Sequence, residues 1–281
     1  WNGEEWSNTT IVKTGENQEI VRVVTKDGYE LECTPYHKFY KVVQDKWNRP
    51  MSVEVRAIDL KKGDKLIKFD LPVIQGDKLL PYAWVNGFFS GDGYVHEGKS
   101  FIAFYHGKQK LIPLTEGCAV KVYAQHESLD RTIVKLEGLQ HKFFVPDCSY
   151  TVASRLEWLA GLLDSDGTLC INGETQSFQI GSVNKEFLKE IQLMLQTCGV
   201  KSKVTKNVDG GYQMLPANDG SGENKSFMCQ AFYRLLIGND GVSKLLDLGL
   251  VTHRLKPTKH RPNRECSQFI KVEGVYSDGR V

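Results

Sequence analysis

The stretch Glu157–Leu169, EWLAGLLDSDGTL, reads as an apolar helix that stops on Ser165-Asp166-Gly167. A helix macrodipole leaves partial negative charge at the C-terminus. A carboxylate there costs a few tenths to about 1 kcal/mol unless a cation offsets it. Taken alone, Asp-Gly is ordinary turn chemistry, with the glycine supplying a left-handed stop. A second copy changes the reading. Upstream, Tyr82–Val95 reads YAWVNGFFSGDGYV, in which Val85 aligns with Leu159, Gly87 with Gly161, Phe88-Phe89 with Leu162-Leu163 and Asp92-Gly93 with Asp166-Gly167. An interior helical glycine costs about 1 kcal/mol relative to alanine, and close approach of another backbone is the usual reason for it. Helices packed through Gly87 and Gly161 would bring Asp92 and Asp166 side by side. Two like charges that close repel unless a divalent cation lies between them. Asp92 and Asp166 are therefore the candidate metal ligands.

The chain has 281 residues, 41% hydrophobic and 25% charged, an ordinary globular composition with room for two domains. The formal net charge is +2, so any nucleic-acid surface has to be local. Seven cysteines, an odd number without a C-x-x-C pair, indicate neither a zinc site nor a full disulfide framework and fit a reduced intracellular compartment. No apolar run approaches the ~20 residues of a membrane span, and nothing resembles a signal peptide. The chain opens on Trp1 and stops inside a strand-and-turn pattern, QFIKVEGVYSDGRV, which suggests a fragment or a protein whose ends lie elsewhere.

Residues 1–72 read as an all-β module. TIVKTG, EIVRVVTKDGYELECT, HKFYKVV, MSVEVRAIDL and DLKKGDKLIKF are rich in Val, Ile, Thr and aromatics and are punctuated by Asp-Gly and Gly-Asp turns. From 73 to 255 an αβ unit is written twice, over about 82–150 and 155–255. Each Asp-Gly helix is followed by strands, KSFIAFYH and AVKVYAQH in the first copy and TQSFQIGS in the second. An amphipathic helix, NKEFLKEIQLMLQTCG, follows with Phe187, Leu188, Ile191, Leu195 and Cys198 at helical spacing. Such a duplication implies a pseudo-dimer with its site on the pseudo-twofold axis. Residues 256–281 return to β texture after the basic stretch HRLKPTKHRPNR, which is either a solvated linker or a set of phosphate contacts.

VNGFFSGDG and LAGLLDSDG resemble the paired LAGLIDADG motifs of homing endonucleases. The second copy is close to the name-giving sequence. The first departs from it, with Ser90 in place of an acid and aromatics at apolar positions. The flanks resemble an intein. CTPYHKFY is similar to the T-x-x-H element of the protein-splicing (Hint) fold and supplies Thr34 and His37. VRAIDLKKGDKL and FIKVEGV resemble later strands of that fold, and WNGEEW and LPANDGSGENK are similar to inteins of ribonucleotide reductase large chains. The fold class implied is α+β, a pseudo-twofold αββαββα-type LAGLIDADG endonuclease domain inserted in an all-β Hint module.

The resemblance implies metal-dependent hydrolysis of both strands of a long, specific double-stranded DNA site by an intracellular monomer. Asp92 and Asp166 would hold Mg²⁺ or Mn²⁺. HKFFVP resembles the family's K-x-x-x-P element and nominates Lys142 as a basic catalytic residue, and repeat alignment nominates Lys244; either lysine also reads as an exposed solubilising charge. Two sheets would lie in successive major grooves. Lys121, Tyr123 and Gln125, then Lys201, Lys203 and Thr205, with Gln176 and Gln179, are the candidate readers, since residues two apart share a strand face. His37 would protonate the leaving amide in the N-to-S acyl shift, with Thr34 bonded to the same peptide. Cys33 reads as structural. The family's N-terminal Cys or Ser and its terminal His-Asn are not matched by Trp1 and Val281. Splicing is therefore expected to need intein fragments or host ribonucleotide reductase segments beyond this chain. Two other readings stay open, a non-catalytic DNA-binding protein of this fold and a piece of a split intein active in splicing alone.

Overall fold

The computed structural model describes residues 5–68, 71–123, 130–217, 222–260, 269–277 and 279. Along the chain come β1 (Val21–Thr25), β2 (Glu30–Cys33), β3 (Lys38–Gln44), β4 (Pro50–Arg56) and β5 (Lys65–Ile67). Next are α1 (Ala83–Asp92), β6 (Gly93–His96), β7 (Lys99–Tyr105), β8 (Ala119–Tyr123) and β9 (Arg131–Leu136). α2 (Val152–Asp166), β10 (Gly167–Asn172), β11 (Thr175–Ser182), α3 (Lys185–Thr197) and β12 (Lys203–Val208) follow. The chain continues through β13 (Gly211–Pro216), β14 (Asn224–Cys229), β15 (Phe232–Ile237) and α4 (Asn239–Asp247) to β16 (Phe269–Ser277). It divides into two units. Unit one comprises residues 1–72, 203–205 and 263–281; unit two comprises 73–202 and 206–262.

Unit one is built on a six-stranded sheet of order β2-β1-β16-β5-β3-β4. β16 pairs antiparallel with both β1 (Val21↔Ser277) and β5 (Phe269↔Ile67), so strands from the two ends of the sequence share one sheet. Alternating side chains of these strands bury Val21, Val23, Leu66 and Val272 with Ala57 and Leu60. The strand expected in TIVKTG does not form: Thr10–Gly15 takes no strand conformation, and Ile11 is 96% exposed. β-propensity without a pairing partner does not make a strand.

Unit two shows its duplication in the sheets. Both four-stranded sheets have the order first-second-fourth-third, β6-β7-β9-β8 and β10-β11-β15-β12, and the hairpin β13–β14 is an extra two-stranded sheet within the second repeat. Between its second and third strands, repeat two carries α3, capped by Asn184 accepting from the Phe187 N–H at 3.1 Å and burying Phe187, Leu188, Ile191 and Leu195. Repeat one has only a 3-10 helix there, His106–Thr115, interrupted by Pro113, which removes a helical N–H. Among the described residues the αββαββα pattern is therefore complete in the second repeat and abbreviated in the first.

α1 and α2 pack backbone to backbone. A Cβ on Gly87 would overlap the carbonyl oxygen of Trp158, and one on Gly161 would overlap that of Trp84. The contact is reciprocal, as a pseudo-twofold axis requires, and Trp84 and Trp158 are themselves aligned residues of the two motifs. Phe88, Phe89, Leu159, Leu162 and Leu163 are fully buried around this seam, each contributing about 1.5–3 kcal/mol of burial.

Candidate active site at the paired helix ends

α1 ends on Asp92 and α2 on Asp166, and each next residue already begins a strand. The left-handed glycine stop does not occur: Gly93 has φ −80° and Gly167 φ −72°, both extended. The pair comes together because residue 91 is glycine. A Cβ there would meet the Ser165 hydroxyl and lie 3.0 Å from the carboxyl carbon of Asp166. Burial, with the charge of Asp92 second, raises the Asp166 pKa above the usual carboxylate value, while Lys108, Lys142 and Arg254 pull it back.

Three basic side chains surround the carboxylates. Lys108 donates to Asp92 Oδ2 at 2.5 Å. Lys142 Nζ donates to the carbonyl of Gly91 at 3.1 Å and also to that of Gly93, the residues before and after Asp92. Burial lowers the pKa of Lys142, and Asp166 and Asp92 oppose this. Arg254 Nη2 makes the matching contacts around Asp166, to the carbonyls of Ser165 at 3.4 Å and Gly167, and also to Leu163 at 2.8 Å. Its Nε donates to the Asp164 carbonyl at 2.6 Å. Arg254 thus stands to Asp166 as Lys142 stands to Asp92.

The loops that carry these cations are pinned from the helices. In repeat one, Asn86 Oδ1 accepts from the Gln140 N–H at 2.7 Å. In repeat two, Asp164, fully buried, accepts from the N–H groups of His253 at 2.9 Å and Arg254 at 2.7 Å and from Trp84 Nε1 at 3.0 Å. Repeat one has Ser90 in that place. Its hydroxyl donates to the Asn86 carbonyl instead, and the buried Trp158 Nε1 has no hydrogen-bond partner among the described residues.

Lys244 lies on α4, and the charges that act on Asp166 are Asp92, Lys108, Lys142 and Arg254. Arg254 replaces it as the repeat-two counterpart of Lys142. The sequence carried the signal: HKFFVP and HRLKP both place a basic residue after histidine and ahead of proline, with one residue fewer in the second. Lys108 has no such signal; only the fold brings it to Asp92.

The donors at the helix ends are all oxygen: two carboxylates and the carbonyls beside them. Among the described residues no group of three or more His, Cys, Asp or Glu forms a fuller cage. This set fits a hard divalent cation that keeps several waters, as Mg²⁺ does, and the mutual repulsion of the carboxylates is what such an ion relieves.

Lys121 and Tyr123 sit on the exposed edge strand β8, the ammonium 4.7 Å over the Tyr123 ring. Tyr94, Phe101, Arg131 and Lys135, on the same face by strand register, extend this into a basic and aromatic surface. Gln125 lies outside the described residues. Gln176 is not a reader: it is 3% exposed, and its amide is bonded to the backbone N–H and C=O of Thr258. Gln179, three residues on, falls on the opposite strand face and accepts from Arg234 at 3.3 Å. Lys201 is exposed ahead of β12, Thr205 is half-buried, and Lys203 pairs with Asp27 at 3.1 Å. In unit one the Thr34 carbonyl accepts from the His37 N–H at 3.0 Å, closing a turn, and the exposed His37 ring stands edge-on to Phe39. Burial raises the Cys33 pKa, which disfavours its thiolate form.

Residues 153–248 match the family model described as a LAGLIDADG-like domain. The match falls on the second repeat, from α2 through α4. Across its whole length the chain is 37% identical to a ribonucleoside-diphosphate reductase large subunit of Invertebrate iridescent virus 6, covering 30% of it. Over 94% of its length it is 24% identical to the NrdEB subunit alpha of ribonucleoside-diphosphate reductase from Bacillus subtilis (strain 168), covering 29% of it. The chain therefore spans under a third of these relatives. Among solved structures, mesophilic variants of the homing endonuclease I-DmoI align with 62% of this chain and 97% of theirs at 13% identity and a TM-score of 0.35. Full-length DUF199/WhiA from Thermatoga maritima aligns with 60% of this chain and 55% of its own at 13% identity and a TM-score of 0.39.

Proposed function

We propose that the chain is a metal-dependent endonuclease that hydrolyses both strands of a long, specific double-stranded DNA site and is carried within a protein-splicing module. One observation carries the reading: Asp92 and Asp166 at the ends of backbone-packed helices, each flanked by a cation that grips the carbonyls on either side. Asp92 and Asp166 would hold Mg²⁺ or Mn²⁺, which when bound supplies Lewis acidity and an acidified water. Lys142 and Arg254 present positive charge where a scissile phosphate gathers negative charge in its transition state. The two strands of a duplex are related by dyads, so a pseudo-twofold pair of half-sites suits one scissile phosphate on each. The basic and aromatic face of β6–β9 offers groove and phosphate contacts. The splicing module is supported by the single sheet made from both ends of the sequence, with Thr34 and His37 in its turn. Similarity to reductase large subunits supports that host.

A second reading, DNA binding without cleavage, is favoured by the Lys108 ammonium seated on Asp92. The test incubates the chain and Asp166→Asn with Mg²⁺ and a plasmid carrying a reductase gene joined across the insertion point. Linearisation by the wild type alone supports the endonuclease. A gel shift without cleavage supports the second reading, and neither cut nor shift refutes both.

A further inference from the structure

We infer that unit one carries a phosphodiester-binding pocket, lined by Lys26, Lys68, Lys203 and Lys271, that takes a backbone phosphate of duplex DNA; this rests on the DNA-directed reading above. The cavity is about 320 Å³ and is completed by Asp27, Phe269 and Ile270, all residues of unit one. Four ammonium groups face one carboxylate, a local charge of +3 in a chain whose whole balance is +2. Asp27, 8% exposed, is engaged, with Lys203 at 3.1 Å and Lys68 at 3.4 Å. The Lys26 N–H donates to the Lys271 carbonyl at 2.9 Å, which sets those two residues side by side on paired backbone. Neither ammonium is in an ion pair among the described residues; Glu273, which feels Lys26, is bonded to Lys62 at 2.7 Å.

Lysines gathered around a concavity repel one another, and an anion is the occupant that relieves this. The lining points to a phosphodiester and not to a nucleobase. Phe269, the one ring in the wall, already carries the Lys65 ammonium over one face, 4.6 Å from its centroid. The only side-chain acceptor in the lining, Asp27, already serves two lysines. Ammonium groups act as point charges for phosphate without demanding a set geometry. The pocket therefore adds affinity, not sequence choice.

The test labels the lysines of the full chain by brief acetylation, alone, with a generic duplex and with inorganic pyrophosphate, and reads each site by mass spectrometry. The proposal expects the duplex to slow labelling of Lys26, Lys68, Lys203 and Lys271. It also expects Lys26→Gln/Lys271→Gln to lower the slope of log affinity against log salt by about 0.9, the contribution of the one phosphate no longer neutralised. Protection of Lys121 and Lys135 with pocket lysines unchanged overturns the pocket and leaves the endonuclease reading standing. Protection by pyrophosphate and not by duplex assigns a small-anion site and overturns the DNA assignment. No protection anywhere by duplex overturns the DNA-directed reading together with the pocket.

Discussion

Asp166 ionises against burial and against the charge of Asp92, and its raised pKa has a definite sign in stability. A carboxyl that binds its proton more tightly when folded contributes stability below the ordinary carboxylate range, and that contribution is lost as pH rises through the shifted value. At neutral pH without metal, Asp166→Asn should therefore melt higher than the wild type, by about 1–3 °C, with the gain vanishing near pH 4. Added Mg²⁺ should raise the wild-type melting temperature and leave the variant unchanged. Differential scanning calorimetry across pH reads both. Asp164 acts differently: buried and accepting three N–H donors from Trp84, His253 and Arg254, it aims the second cation. Asp164→Asn turns an amide NH₂ toward donors, and should cost about 1–3 kcal/mol in chemical denaturation and, on the proposed reading, slow cleavage as Arg254→Ala would.

At the scale of elements, the seam between α1 and α2 tolerates no side chain at its crossing. Gly87→Ala or Gly161→Ala forces a carbonyl out of the neighbouring helix, an overpacking cost of about 1–3 kcal/mol or more. Either should lower the melting temperature by about 5 °C or more, whereas Gly107→Ala, where a Cβ meets nothing, should leave it unchanged. This seam was legible because the sequence writes it twice, and α3 was legible from its 3.6-residue period. Arg254 was not, because its spacing to the following proline is one residue shorter than that of Lys142, which hides the echo. Gln176 shows the opposite error: Gln176 and Gln179 are three apart and so cannot share a strand face, a constraint already present in the sequence. Lys108 reaches Asp92 from a 3-10 helix whose position no local pattern encodes.

At the scale of the whole molecule, unit one depends on both ends of the sequence. β16 separates β1 from β5, and Val272 is fully buried. A chain ending at Pro262 should lose protease resistance across residues 21–67 while residues 83–247 stay protected, which limited proteolysis with mass spectrometry will show. The pairing of β16 was not legible, since strand texture says what pairs with something but not with what. On the proposed reading, the pseudo-twofold arrangement makes Asp92 with Lys142 and Asp166 with Arg254 two half-sites, one for each strand. The deciding measurement is Mg²⁺-dependent cleavage of a target duplex whose strands are labelled separately. Wild type should cut both strands, Lys142→Ala should slow one by about 100-fold or more and Arg254→Ala the other. Equal slowing of both strands by either variant, or full cleavage by Asp92→Asn/Asp166→Asn, would contradict the account.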